Sequence, residues 1–468
     1  MKCLPKEFFR VEHNRTGPPK ANVRCSFGFG FDSGACRGKI DRCNMAGKTV
    51  SKFLKVKSSD EVLALIDRLH PLPAVEVELA AACGEVLALS VVAPESVPHF
   101  SRATMDGYAV RARDTFGASE TLPAFLETAG EIKMGETVTR RLEPGTAIGV
   151  PTGGMLPEGA DAVVMVEYTY PLDDKTIEVT RPVAPGDNLL REGEDISVGR
   201  ELFPGGWRLR PQDVGVLAAL GVTRVAVRRR PRVAVISTGD EVVPVGASPV
   251  PPGKIRDINS FTLAAQVEEA GGVIGLRKVI ADDLALLTDV CRQALEDHDV
   301  IMLSGGSSVG VRDYTLSILE HLHDSELLAH GVAVRPGKPT ILARVGEKVF
   351  WGLPGQPVSA MMICRAFVLP SLERLQGRTS KHAAFAVNQL NAVLARKVPS
   401  VHGRTDYVPV LLSSAHGRLS AEPVFGKSAM ISTLAAADGY IIVPEHVEGL
   451  DQGTDVLVCL FSGPGKAG

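Results

Sequence analysis

A multidomain chain of the α/β-plus-β class is what this sequence predicts, and three observations predict it. Between about residues 229 and 376, apolar runs of strand length alternate with helical apolar periods, the rhythm of a doubly wound α/β domain. On either side, residues 98–190 and 377–468 break into short strands punctuated by Gly and Pro, the pattern of β domains. Finally, 468 residues with 45% apolar and 22% charged content are too many for one core, and at about 150 residues per domain they suggest about three.

Residues 1–44 are rich in Arg, Lys, Gly, Asn and Cys and carry little periodicity. They read as a disordered extension, with Met45 a candidate natural start. Residues 45–97 read as the first part of a helical domain. Ser58-Ser-Asp-Glu61 is a capping box ahead of Val62, Leu63, Ile66 and Leu69, and a second packed helix is expected through Val77, Leu79, Ala80, Val86 and Leu87. Residues 98–190 form the inserted β domain, with strands such as Ala147 to Val150 and Ala162 to Val166. Residues 191–228, with a helix from Pro211 to Leu220, rejoin the helical segment.

The α/β domain, 229–376, opens with a strand at Val233 to Ile236 that ends in Ser237-Thr-Gly-Asp-Glu241. Asn259 or Ser260 caps the next helix, which stops at Gly271-Gly272. A strand from Val273 to Ile280 then meets Asp282-Asp283 and a second helix. The run Asp299 to Leu303 is the central strand, and its loop Ser304-Gly-Gly-Ser-Ser-Val-Gly310 carries three glycines and three serines before a helix. Such a loop brings backbone N–H groups close to a ligand at a helix start, which suits a phosphate or another oxyanion. After strands near Val332, Thr340 and Val349 comes Gly352-Leu-Pro-Gly-Gln-Pro-Val-Ser359, then a closing helix to about Leu375. Residues 377–468 read as a small β barrel.

Open parallel sheets bind ligands beyond the carboxyl ends of their strands. Five polar loops fall there: Thr238 to Glu241, Asp282-Asp283, Ser304 to Gly310 with Asp313, Arg335 to Lys338, and Pro354 to Pro357. Carboxylates beside a phosphate cradle repel the ligand unless a hard cation lies between them, so Glu241, Asp282 and Asp313 are candidate Mg²⁺ ligands. The alternative for Asp282 and Asp313 is helix N-capping. Arg335 and Lys338 either neutralise an anion or are solvated loop cations. Asp106, before Gly107, is either a catalytic group or an ordinary Asp-Gly turn.

Other chemistries are excluded. Lys338 is followed by Pro339, so Gly331 to Lys338 is no Walker loop, and there is no GxSxG, HExxH or CxxC. The formal charge of −3 offers no field for nucleic acid, and no run approaches the roughly eighteen apolar residues of a membrane helix. The N-terminus lacks the apolar core of a signal peptide, so a cytoplasmic protein is expected. Eight scattered cysteines make no disulfide framework, and Cys3, Cys25, Cys36 and Cys43 lack zinc-site spacing.

Taken together, Ser101-Arg-Ala-Thr-Met-Asp-Gly-Tyr-Ala109, Thr152-Gly-Gly-Met-Leu-Pro-Glu-Gly-Ala-Asp161, Glu192-Gly-Glu-Asp195, Ser237-Thr-Gly-Asp-Glu241, Ser304 to Thr315, Pro336-Gly-Lys-Pro339 and Gly352 to Ser359 resemble the molybdopterin molybdenumtransferase family, which includes the C-terminal part of gephyrin. The resemblance spans about residues 50–460. It implies an elongated four-part subunit, a molybdopterin-binding-like α/β domain, and a homodimer whose active site is shared between subunits. It further implies molybdenum insertion into adenylylated molybdopterin, with Mg²⁺-dependent cleavage of the adenylate and release of AMP. Transient contact with the adenylyltransferase and with apo-molybdoenzymes goes with that activity.

Carried over by position, Asp106, Thr152 and Asp195 become catalytic candidates reaching the partner's cleft. Glu241, Asp282 and Asp313 resemble the acidic metal and pterin site. Ser304, Gly305, Gly306, Ser307, Ser308, Gly310, Pro354 and Pro357 resemble the pterin loops. Arg404 and Ser428 resemble polar residues of the last domain that reach toward the oxyanion. The sequence departs from the family pattern at Arg335, where a lysine is expected, at Gln356, where Asn is frequent, and at Arg256-Asp-Ile-Asn-Ser260. A pterin carrier or scaffold without turnover and a molybdopterin adenylyltransferase are the competing readings.

Overall fold

The computed structural model describes residues 56–305, 309–378, 389–415 and 417–461. The extension read over 1–44 lies outside them. The chain divides into two units, 1–53 and 54–468, and every described residue belongs to the second.

The α/β domain is built on a six-stranded sheet in the order Val273–Ile280, Arg232–Thr238, Val300–Ser304, Lys348–Leu353, Ile341–Val345, Ser325–His330. The first four strands run parallel, Ile341–Val345 runs against them, and Ser325–His330, antiparallel to Ile341–Val345, returns to their direction. Central parallel strands are covered on both faces, which is why Val300–Ser304 is buried at every position and reads as an unbroken apolar run. Strand alternation sends Val233, Val235, Met302 and Trp351 to one face, and Ala234, Ile236, Leu303 and Phe350 to the other. The helix Asn259–Glu269 packs its Leu263 and Val267 on the first face, whereas the helix Leu284–Asp297 brings Leu287 and Cys291 to the second. Trp351 is fully buried, and its indole N–H donates to Ser371 Oγ at 3.3 Å, so its body contributes about 2–3 kcal/mol of burial without an orphaned donor. The closing helix runs as Pro357–Ile363, a π turn over Cys364–Val368, and Leu369–Leu375. Pro370 has no N–H for the ladder at that point, a recognised origin of such irregularity.

The C-terminal barrel is closed. Its five strands, Thr405–Ala415, Arg418–Pro423, Gln389–Leu394, Asp455–Leu460 and Gly439–Val443, pair around a ring that returns to Thr405–Ala415. Inside it lie Leu394, Val410, Ala421, Ile441 and Val458. A short strand of the α/β domain, Val334–Arg335, pairs in parallel with Thr405–Asp406 and so ties the two domains edge to edge.

The inserted β segment is a six-stranded sheet in the order Ala162–Met165, Gly107–Val110, Thr146–Val150, Ala124–Glu131, Thr176–Val179, Thr169–Pro171. Gly107 sits where a Cβ would overlap the carbonyl oxygen of Val164, so the residue after Asp106 has to be glycine. The strand pairs Arg102–Ala103 with Leu189–Leu190 and Val91–Val92 with Glu201–Phe203 fasten its two connections.

The helical reading of residues 45–97 is corrected in its second half. The capping box forms at Ser58 and Glu61 and starts the helix Ser59–Ile66. The expected second helix does not form. Ala74–Glu78 is instead a strand paired antiparallel with Arg224–Arg228, followed by a single 3-10 turn at Leu79–Ala81. The local order Ala-Val-Glu-Val-Glu has period two, Pro71 and Pro73 oppose a helix, and Val225 and Val227 supply the buried partner strand. Among the described residues no helix is long and apolar enough to cross a membrane.

Candidate active-site cleft

Because Val334–Arg335 is zipped to Thr405–Asp406, the loop Arg335 to Lys338 faces the barrel across a cleft of about 1090 Å³. Arg335, Lys338, Pro354 and Gln356 come from the α/β side, and His402, Arg404, Lys427 and Ser428 from the barrel. The carboxylate in this wall belongs to Asp406, only 3% exposed. Arg404 grips it with two hydrogen bonds, Nε to Oδ1 at 2.7 Å and Nη2 to Oδ2 at 3.2 Å, and Arg335 Nη1 stands 3.8 Å from Oδ2. One carboxylate thus answers two guanidiniums, while among the described residues neither Lys338 nor Lys427 pairs with a carboxylate. Among the described residues the cleft carries a surplus of positive charge, with its Arg fork held by two hydrogen bonds, as oxyanion recognition requires. Asp406 was not singled out in the sequence. Its role rests on a strand pairing between residues far apart in the chain.

The Pro354–Gly355 turn is shared by this cleft and the glycine–serine cradle. Ser304 is buried at the end of the central strand and donates to the Pro354 carbonyl at 3.2 Å. Asn259 Nδ2 donates to Ser304 Oγ at 2.7 Å and to the Gly355 carbonyl at 2.8 Å. Asn259 is therefore not the helix cap the sequence suggests. That task falls to Asp257, whose carboxylate accepts from the Ser260 N–H at 3.1 Å and from the Ser260 hydroxyl. Gly305 follows Ser304 and is buried, and Pro357 opens the closing helix. Gly306, Ser307 and Ser308 lie outside the described residues; Gly310 and Asp313 fall in the helix Val309–His321, with side chains outside the description. Ser428, expected to face the oxyanion, donates its hydroxyl to Gln356 Oε1, and its carbonyl accepts from the Val358 N–H at 3.1 Å, so it links the barrel to the loop that carries Pro354 and Pro357.

At the carboxyl end of Arg232–Thr238 stand Asp240, Glu241 and Asp282. Asp282 accepts from Thr238 Oγ1 at 2.6 Å, and its own N–H donates to Asp240 Oδ1 at 3.1 Å. The neighbouring Asp283, not Asp282, caps the helix by accepting from Leu286 N–H at 2.9 Å, which removes the capping reading for Asp282. Among the described residues no three His, Cys, Asp or Glu side chains converge as a metal-holding group; the side chain of Asp313, the third member of the expected set with Glu241 and Asp282, lies outside them.

The inserted domain brings Asp106 and Thr152 together. The Thr152 N–H and hydroxyl both donate to Asp106 Oδ1, at 2.7 and 2.9 Å, and these bonds hold the Asp106 carboxyl below the usual range. Asp195 lies on the exit loop, its N–H bonded to the Val97 carbonyl at 3.2 Å. None of these three lines the cleft of its own chain.

Comparison with known proteins accounts for nearly all of the described chain. A model of the MoeA N-terminal region (domain I and II) matches residues 57–221, one described as "Probable molybdopterin binding domain" matches 234–374, and one of the MoeA C-terminal region (domain IV) matches 391–461. A molybdopterin molybdenumtransferase of Bacillus subtilis is 34% identical over 420 residues, 89% of this chain and 93% of that protein. Molybdopterin molybdenumtransferase 2 of Mycobacterium tuberculosis is 34% identical over 390 residues, 82% of this chain and 94% of its own length. Two solved structures of the molybdopterin biosynthesis MoeA protein from Pyrococcus horikoshii superpose with TM-scores of 0.73 and 0.72 at 38% and 33% identity, each covering 87% of this chain and 100% of the solved one. With all three regions matched in order and with this share of both lengths covered, the chain belongs to the molybdopterin molybdenumtransferases, enzymes of molybdenum cofactor biosynthesis.

Proposed function

We propose that the chain takes adenylylated molybdopterin and molybdate, cleaves the adenylate in a Mg²⁺-dependent step, releases AMP and leaves molybdenum on the dithiolene. The observation that carries this reading is the cationic cleft, in which Arg404 is fixed by a buried carboxylate and, among the described residues, Lys338 and Lys427 have none. Such a cleft favours a doubly charged oxyanion beside a phosphate. Arg404, Arg335 and Lys338 hold molybdate, with Ser428 at the seam between barrel and loop. The cradle at Ser304 to Gly310, braced by Asn259 and by Pro354, holds the pterin end.

Glu241, Asp282 and Asp313 are assigned to Mg²⁺, which takes one or two carboxylates and completes its shell with water and substrate oxygens. When bound, that cation supplies neutralisation of the phosphoanhydride charge. Asp106, Thr152 and Asp195 stand away from their own cleft and are assigned to the cleft of a second copy in a homodimer. There the ionised Asp106 aligns the attacked phosphate or the oxyanion, because phosphoryl chemistry depends chiefly on alignment and charge. The setting is cytoplasmic.

The test is AMP release from adenylylated molybdopterin and Mg²⁺, with and without molybdate, followed by reconstitution of an apo-molybdoenzyme. Molybdate-dependent AMP release with an active product is the expected result. Pterin binding without AMP release would replace this reading by a carrier, and ATP-dependent adenylylation of molybdopterin would replace it by an adenylyltransferase.

A further inference from the structure

Phe425 is an aromatic side chain without a core. It lines the cationic cleft, is 56% exposed, and joins none of the hydrophobic clusters formed by the described residues. The backbone on either side of it is nevertheless held. The Val424 N–H before it donates to the Pro409 carbonyl at 2.8 Å, and Gly426 after it lies so close to Thr433 that a Cβ would overlap that side chain. One face of the ring is backed by a cation, with Arg396 Cζ 5.6 Å from the centroid. Arg396 is itself held there by the Pro423 carbonyl at 3.1 Å and by Glu422 at 2.5 Å.

Keeping an aromatic ring exposed beside a cluster of cations is unfavourable for the free protein, since the same ring in a core would gain burial. A ligand that is anionic at one end and flat at the other would use both features at once. We infer that Phe425 is a stacking platform for a flat nitrogen heterocycle attached to a phosphate, whose anionic part the cleft cations take. The inference rests on the reading under Proposed function and deepens it by naming a ring-recognising residue. The adenylylated substrate has two rings of this chemistry, the adenine of the AMP half and the pterin. A stacked ring gains contact area on the open face, while the guanidinium behind the phenyl keeps the platform from turning.

The experiment compares wild type, Phe425→Leu and Phe425→Tyr for direct binding of three probes: AMP, molybdopterin, and molybdate as a ringless oxyanion. Leucine keeps apolar volume but has no ring, and tyrosine restores one. The expected result is that Phe425→Leu weakens one of the two ring probes about tenfold or more, as loss of a stacked base does, while Phe425→Tyr stays within about twofold and molybdate is unaffected. The probe that weakens identifies the ring. If leucine leaves both ring probes within about twofold, or weakens molybdate in parallel, the inference is overturned. Should Phe425→Leu fail to fold, Phe425→Trp provides a fluorophore at the site, and an emission unchanged by both ring probes at saturation would overturn it equally. Wild-type turnover separates the two levels. Intact molybdate-dependent AMP release with unchanged binding in Phe425→Leu removes only the stacking role, whereas no AMP release by wild type removes the proposed function itself.

Discussion

Two aspartates of the same chain meet opposite environments. Asp406 is buried in the cleft wall, and its two oxygens are shared by Arg404 and Arg335. Asp106 is exposed on the inserted domain, and its donors are the neutral N–H and hydroxyl of one residue, Thr152. A carboxylate whose charge is cancelled by guanidiniums cannot also act on a substrate; it is a brace that aims cations. A carboxylate kept ionised by neutral donors on one oxygen retains its net charge and a free second oxygen. The same side chain is therefore a scaffold in one place and, under the proposed function, a reagent in the other, and the type of donor separates the two.

Replacing each aspartate by alanine tests that division, and the larger effect is expected on activity. Asp106→Ala should lower molybdate-dependent AMP release by about a hundredfold or more, the usual consequence of removing one aligned polar group from a charged transition state. Its melting temperature should fall only slightly, because the carboxylate is exposed and loses only its two bonds from Thr152. A steep fall in melting point alongside the lost activity would make Asp106 structural and dissolve the comparison.

Asp406→Ala should do the reverse. Removing the buried partner of a bidentate pair leaves the Arg404 fork uncompensated, a change worth about 3 kcal/mol when the remaining charge is partly solvated. Arg404 is 31% exposed, which places the effect at the low end of the buried-pair range. Denaturant unfolding measures it directly. Since the freed guanidiniums lose their fixed aim, KM for molybdate should rise while AMP release at saturating molybdate changes less. A stability loss under about 1 kcal/mol would show that Asp406 is not the brace of this wall.

How much of this could be read in the sequence follows from how local each signal is. The central strand Val300–Ser304 and its neighbours were legible because strands buried on both faces must be apolar throughout, and the Ser58–Glu61 cap is complete within four residues. The reading of residues 377–468 as a small β barrel is borne out by the closed ring of five strands, whose pairing order is set by the fold and not by any local signal. The stretch through Val77 to Leu87 was misread as a helix, since a short apolar run fits either period and the partner strand Arg224–Arg228 is distant in sequence. The motif residues Asp106 and Thr152 were named before their contact was known, and the structure joins them. Asp406 and Asn259 were missed as functional supports for one reason: each acts through a partner brought close only by the fold, Arg335 in the first case and Gly355 in the second. Sequence alone gives Phe425 no distinction from a core phenylalanine, because its exposure is a property of the cleft.

The finest test of the comparison lies in the donors of Asp106. Thr152→Val removes the hydroxyl but leaves the backbone N–H, which is the larger of the two influences on this carboxyl. Both donors favour the ionised form and place the folded-state pKa below the unfolded one, so the stabilisation they give is present above the unfolded pKa and is lost as pH falls through the folded one. Losing the hydroxyl must therefore move the Asp106 pKa upward toward its ordinary value without restoring it fully. Carboxyl-carbon NMR titration should record that upward shift, and the acid limb of AMP release should move to higher pH in step with it. Because Asp106 remains ionised in both proteins at neutral pH, their rates there should differ only through alignment, by far less than the loss in Asp106→Ala. A titration midpoint that stays in place or moves downward would mean that the hydroxyl contributes nothing to keeping the charge, and that the N–H of Thr152 alone separates the acting aspartate from the bracing one.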